Sequence, residues 1–258
     1  MLWAVVAAAA VALGWQIVRA RRTVATLEGR LESASQRLEA LQQAFSRFAP
    51  AAVVEDIIAE GVSARSEKKE VTVLFADLKD FTALSERLDP AQLVSILNGY
   101  FARISRVVAE HRGHLAKFIG DGVLVLFGAL DANPWQANDA VHAALAMRAA
   151  LADYNAALGG DGLPRLAFGV GIHRGSVVAG VLGSAELMEY GVVGRTVNVA
   201  SRVESLTRVH GVDILVTDAV CEALDRRFRL RAMPASEVKG VDAPLATFAV
   251  EGFETGGE

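Results

Sequence analysis

Residues 2–18, LWAVVAAAAVALGWQIV, carry no charge, and no other segment narrows the possible folds as much. In hydrocarbon every backbone polar group must be satisfied internally, so a single run of this kind can span only as a helix. Such a helix needs roughly 17–25 apolar residues, and this run sits at the short end of that range. A cleaved signal peptide is the rival reading. Against it, no basic region precedes the apolar run, and the chain passes directly into Arg19, Arg21 and Arg22. By the positive-inside rule these arginines keep the C-terminal side in the cytoplasm. The expectation is a single-pass transmembrane helix over 1–18 that carries no external sensor domain of its own.

A heptad follows. Val24, Leu31, Leu38 and Phe45 form one apolar series, and Leu27, Ala34, Leu41 and Phe48 form a second, three residues later. Polar residues fill the positions between them, as in the a/d seam of a parallel coiled coil. The bland alternative is an amphipathic helix packed on its own domain. Gly29 weakens the helix locally, by about 1 kcal/mol. Pro50 ends the pattern, a short amphipathic piece runs to Gly61, and SARSEKKE reads as a linker. These features divide the chain into a transmembrane helix (1–18), a coiled coil (19–48), a transducer element with linker (49–65), a compact domain (66–252) and a disordered tail (253–258).

The compact domain alternates strands and helices. VTVLFAD (71–77) reads as a buried strand. Asp89-Pro90 reads as a helix N-cap followed by proline at the first helical position. HLAKFIG and GVLVLFG are two strands joined at Gly120-Asp121-Gly122, a hairpin signal. An alanine-rich helix is expected over 134–158. RLAFGVGIHRG and SVVAGVLG are expected as a strand pair, 196–209 as a helix, and 213–217 as a strand. Short strands are expected around 228–232, 237–239 and 246–250. The order points to an α+β fold with helices packed on a sheet. The formal net charge of −4 gives no reason to expect a nucleic-acid partner. The single cysteine, Cys221, excludes an internal disulfide and a cysteine metal cluster.

Two aspartates carry candidate chemistry. Asp77 ends a buried strand in LFADLKDFT, and Asp121 sits at the tip of the GDG hairpin. Two carboxylates at exposed strand ends suit Mg²⁺, a hard ion that shares its oxygen ligands with phosphates. Taken singly, each has an ordinary alternative, since Asp-Gly is a common turn and Asp after a strand a common helix cap. The turn through Leu78, Lys79, Asp80, Phe81 and Thr82 runs from strand into helix, where backbone N–H groups bind phosphate. It is not a Walker loop, because the glycines and the Lys-Ser/Thr pair are missing. In GRTVNVASRVE, Asn198 and Arg202 are four apart and share a helix face. That pair suits a sugar and a phosphate, and a solvated helix face is the plain alternative.

FADLKDFT, KFIGDGVLVLFG and YGVVGRTVNVASRVE, in this order and spacing, resemble the catalytic domain of the class III adenylyl and guanylyl cyclases over about residues 66–252. FAPAAVVEDI is similar to the element joining coiled coils to the cyclase domain in bacterial members. The resemblance implies a ferredoxin-like core with additions and a bacterial inner-membrane setting with the catalytic domain cytoplasmic. It implies two Mg²⁺ (or Mn²⁺) ions held by Asp77, Asp121 and the carbonyl of Leu78. Asn198 would orient the ribose and Arg202 would stabilise the pentavalent phosphorus. Lys117 would contact adenine and favours ATP, since guanylyl cyclases typically carry Glu there. Phe81 and Thr82 would border the triphosphate, and Lys239 in EVKG would touch it. The sequence departs from the pattern at two positions. Gly191 stands where adenylyl cyclases carry a side chain that helps read adenine, and Arg195 stands where Asp or Asn is common.

The implied reaction is attack of the ribose 3′-hydroxyl on the α-phosphorus of ATP with loss of pyrophosphate. In the family the site forms between two domains, one expected to give the aspartates and Lys117 and the other Asn198 and Arg202. One chain carries both sets, so a head-to-tail homodimer with an inactive monomer is expected. Dimerisation would run through the catalytic domain and the coiled coil, which raises the effective concentration. Seam and anchor also suggest regulation by rotation of the helices and a membrane regulatory partner. A guanylate cyclase and a catalytically silent cyclase-like scaffold remain as alternatives; a diguanylate cyclase lacks support because GG[DE]EF is absent.

Overall fold

The computed structural model describes residues 66–160, 162–183, 188–237 and 244–254, together with Trp15, Arg19, Leu27, Gly29, Arg30 and 32–37. The chain divides into two units, Met1–Ser63 and Ala64–Glu258. In the first unit every described residue is helical and exposed. The seam positions Leu27 and Ala34 are among them. The Arg19 guanidinium lies 5.4 Å from the Trp15 ring centroid. Among the described residues no helix is long and apolar enough to cross a membrane. Apart from Trp15, the expected span 1–18 lies outside the described residues, as do most of 19–48, the linker 49–65 and the tail end 255–258.

Among the described residues the second unit forms an eight-stranded sheet with helices on both faces. Its strands are β1 (Glu67–Leu78), β2 (His114–Ile119), β3 (Gly122–Phe127), β4 (Phe168–Gly183), β5 (Met188–Val193), β6 (Ile214–Thr217), β7 (Phe228–Ala232) and β8 (Thr247–Phe253). Its helices are α1 (Phe81–Ser85), α2 (Pro90–Glu110), α3 (Gln136–Gly160), α4 (Arg195–His210) and α5 (Asp218–Cys221). The strand order is β2-β3-β1-β4-β6-β8-β7, with β5 also paired to β4.

One expectation is corrected. RLAFGVGIHRG and SVVAGVLG are not two strands but the single strand β4. Arg174-Gly175 looks like a turn in sequence, yet β1 pairs with β4 from Glu67↔Ala179 to Leu78↔Phe168 without a break. That continuous ladder keeps the glycine extended. The second half of β4 then pairs with β5, from Val178↔Val193 to Gly183↔Met188.

Alternation decides which side of the sheet each helix covers. Leu74, Ala76 and Leu78 of β1 and Val123, Val125 and Phe127 of β3 face one core, shared with α2 and α3. The Asp89 carboxylate caps α2 by accepting from the Ala91 amide at 3.0 Å, and Pro90 follows as expected. Ile96, Tyr100, Ile104 and Val108 are its buried stripe. Val71 and Val73 of β1 and Leu124 and Leu126 of β3 face the other side, where Ala200 of α4 packs. α4 approaches closely because Gly169 and Gly171 present no side chain to it. A Cβ on Gly171 would lie 2.6 Å from the Ala200 carbonyl oxygen.

Candidate active site

β1 ends at Leu78 and the β2–β3 hairpin turns at Gly120-Asp121, so the two aspartates arrive on adjacent strand ends. The pairing Ala76↔Val123 sets that proximity. Asp80 takes a left-handed conformation (φ 56°), which turns the chain out of β1 into α1. Asp77, Leu78, Phe81, Thr82, Asp121 and Arg208 line one open cleft of about 460 Å³.

Burial and like charge act together in the cleft. Burial first, and then the charge of Asp77, push the Asp121 carboxyl above the usual range, while backbone hydrogen bonds at Asp121 and Leu78 pull it down. Two facing carboxylates cannot both ionise cheaply without a cation. Tyr100 on α2 responds to the same pair. Its hydroxyl is held protonated by burial first and by the charges of Asp77 and Asp121, and it has no hydrogen-bond partner. Gly122 makes room for the Asp77 carboxylate, since a Cβ there would lie 3.0 Å from Oδ1.

Among the described residues Arg208 is the cation that lines the cleft. Arg208 Nη2 donates to Asp77 Oδ2 at 2.9 Å and to the Leu78 carbonyl at 3.1 Å. Its Nη1 donates to Glu204 Oε1 at 2.9 Å. The Glu204 side chain is 8% exposed. Its pKa is raised to about 7, because burial outweighs the opposing effect of Arg208. The sequence reading missed both residues. Their i, i+4 spacing was visible, but nothing local indicates that Arg208 reaches across to β1.

Two carboxylates and a carbonyl form a hard oxygen donor set that fits Mg²⁺ or Mn²⁺. The like-charge pair and the guanidinium drawn onto it give independent support for that fit. Among the described residues no three His, Cys, Asp or Glu side chains gather as a metal cluster.

The other expected site residues among the described ones do not line this cleft. Asn198 is exposed and Arg202 half-buried on α4. Gly191 lies in β5 opposite Gly180. Lys117 stands opposite Leu124 on exposed β2 and does not line the aspartate cleft of its own chain. It lies three positions before Gly120 of the hairpin turn, roughly 10 Å of extended chain. Its pairing with Leu124 directs it to the sheet face that α4 covers. Lys239 lies outside the described residues.

The adenylate and guanylate cyclase catalytic-domain model matches residues 63–252. An adenylate cyclase of Anabaena cylindrica is 33% identical over 240 residues, covering 89% of this chain and 47% of that protein. Adenylate cyclase 1 of Rhizobium meliloti (strain 1021) is 36% identical over 185 residues, covering 72% and 28%. The chain thus spans about half or less of the length of these curated relatives. Among solved structures, the guanylyl cyclase Cya2 superposes with a TM-score of 0.70 at 36% identity, covering 74% of this chain and 95% of that one. The adenylyl cyclase CyaB from P. aeruginosa gives 0.70 at 29% identity, covering 74% and 98%.

Proposed function

The chain belongs to the adenylate and guanylate cyclase catalytic-domain family, and from that premise we propose that it is an adenylate cyclase, converting ATP to 3′,5′-cyclic AMP and pyrophosphate. The observation that carries this reading is the cleft in which Asp77, the Leu78 carbonyl and Asp121 converge beside the turn into α1. Asp77, Leu78 and Asp121 would hold two Mg²⁺ or Mn²⁺ ions, which when bound lower the pKa of the attacking hydroxyl and neutralise phosphate charge.

The chain's own residues supply the positioning. Phe81 and Thr82 border the triphosphate, Asn198 orients the ribose by its amide, and Arg202 donates to oxygens of the phosphorus as their charge grows. Asn198 and Arg202 do not line the aspartate cleft of their own chain, which supports a head-to-tail homodimer with two shared sites. Lys117 shares the sheet face of α4, so in this reading it reaches adenine from the chain that supplies Asn198 and Arg202. The uncharged run and the heptad support a membrane anchor, a cytoplasmic catalytic domain and a coiled-coil dimer, with the seam as the route for a membrane regulatory partner.

A second reading takes GTP as substrate. It is favoured by Gly191, which offers no side chain for adenine, and by the likeness to a guanylyl cyclase structure at 36% identity. Incubating the purified chain with ATP or GTP and Mg²⁺ or Mn²⁺, with chromatography of the products, decides between them. Cyclic AMP from ATP at a kcat/KM above that for GTP is expected, and Asp77→Ala is expected to abolish it. Turnover of neither nucleotide sinks the enzymatic reading.

A further inference from the structure

The Arg208 side chain occupies the atoms that the metal-site reading assigns to metal. Its Nη2 contacts Asp77 Oδ2 at 2.9 Å and the Leu78 carbonyl at 3.1 Å, two of the three expected ligands. A divalent ion bound to those oxygens sits about 2.0–2.6 Å from each. A guanidinium nitrogen cannot remain at hydrogen-bond distance from both at the same time. The side chain is also built to leave. It is 39% exposed, and its second nitrogen is tied to Glu204, whose side chain is nearly buried. Rotation about that tether breaks the contacts to Asp77 and Leu78 and keeps the one to Glu204.

We propose that Arg208 is the resident cation of the cleft in the metal-free chain, and that a divalent ion binds by displacing its guanidinium onto Glu204. The proposal rests on the metal-site reading above. It assigns Arg208 the role of a positioning residue. In the metal-free chain it offsets the charge of Asp77 and ties α4 to the end of β1. In the metal-bound chain it withdraws along α4, the helix that also carries Asn198 and Arg202. Arrival of metal in one half of the site is thereby coupled to the helix that supplies the other half. Glu204 is the retaining group, because without it a released guanidinium would have only solvent to bind.

The test is Mn²⁺ affinity of the whole chain without nucleotide, read from the paramagnetic resonance signal of free Mn²⁺. Arg208→Gln removes the competing cation, and about tenfold tighter binding is expected, the equivalent of one charge-assisted hydrogen-bonded contact no longer broken. Arg208→Lys keeps the charge but cannot bridge Asp77, Leu78 and Glu204 together, and about threefold tightening is expected. Its reading stands if the glutamine variant fails to fold by circular dichroism. Unchanged or weaker binding in the folded variants overturns the proposal. Asp77→Asn is expected to lose Mn²⁺ binding. If it binds as well as the unaltered chain, the metal-site reading itself falls, an outcome separate from failure of the Arg208 inference.

Discussion

Gly171→Ala puts a single methyl where α4 meets the sheet. The new Cβ would lie 2.6 Å from both the Ala200 carbonyl oxygen and Glu204 Cα, and closer still to the Glu204 main-chain nitrogen. Both neighbours are main chain, so no side chain can swing aside. Restoring an ordinary 3.4 Å contact to the two atoms at 2.6 Å alone moves α4 outward by about 0.8 Å, and relieving the Glu204 nitrogen moves it further. Overpacking of this kind costs about 1–3 kcal/mol. The upper end applies here, because β4 is central and pairs with β1 through Gly171↔Phe75 and with β6 through Gly171↔Leu215. At about 2–4 °C per kcal/mol for a domain of this size, Tm falls by about 6–12 °C. α4 also carries Asn198, Arg202 and Arg208, and a displacement near 1 Å lowers turnover by about a hundredfold. The assay is thermal unfolding by circular dichroism, together with cyclic AMP formation well below the variant's Tm. Gly159→Ala is the matched control. It adds the same methyl in α3 with nothing within 4 Å, and a gain of roughly 0.5–1 kcal/mol is expected. Unaltered Tm and turnover in Gly171→Ala would refute the claim that these glycines seat α4. A lowered Tm with full turnover would sever the seating of α4 from catalysis.

Two further outcomes are expected. Asp121→Ala and Arg202→Ala chains, each inactive alone, should recover up to one working site per heterodimer when mixed; a mixture that stays silent although native mass spectrometry shows heterodimers counts against the shared site. The metal-free chain should lose stability as pH rises from about 4.5 to 7, because Glu204 with its pKa raised to about 7 binds a proton more tightly folded than unfolded, and Asp121 is shifted the same way. Their contribution is fully present below the unfolded carboxyl range and is gone above the folded value. Unfolding curves in chelator across that window should show the fall, and Glu204→Gln should flatten it; an unchanged slope in that variant removes Glu204 as the cause.

What could be read from the sequence was what local chemistry determines. The Asp89 cap and Pro90 start α2 as their types dictate. The Gly120–Gly122 turn places Asp121 at a hairpin tip because Gly120 takes positive φ (62°). The apolar run before Asp77 had to be a buried strand, and it is central in the sheet. What could not be read depends on partners far away in sequence. Arg174-Gly175 has the composition of a turn, and only the twelve-residue β1 opposite keeps it extended. Lys117 has the right motif neighbours, but the register of β2 on β3 takes it out of the aspartate cleft. Arg208 meets Asp77 across 131 positions, which no periodicity reports.

One signal bridges the two categories. Gly169-Val-Gly171 inside a strand pattern marks a close backbone approach. The approaching backbone is that of α4, whose Glu204 side chain would meet a Cβ on Gly169 and whose main chain would meet one on Gly171. Gly169 is also the β4 partner of Asp77. The same bare stretch of β4 therefore backs the aspartate on one strand and admits, on the sheet face, the helix turn bearing Glu204 and Arg208. Side chains at 169 or 171 would hold α4 off the sheet and carry Arg208 out of reach of Asp77. The glycines are therefore part of the electrostatics of the cleft, although neither contributes a charge to it.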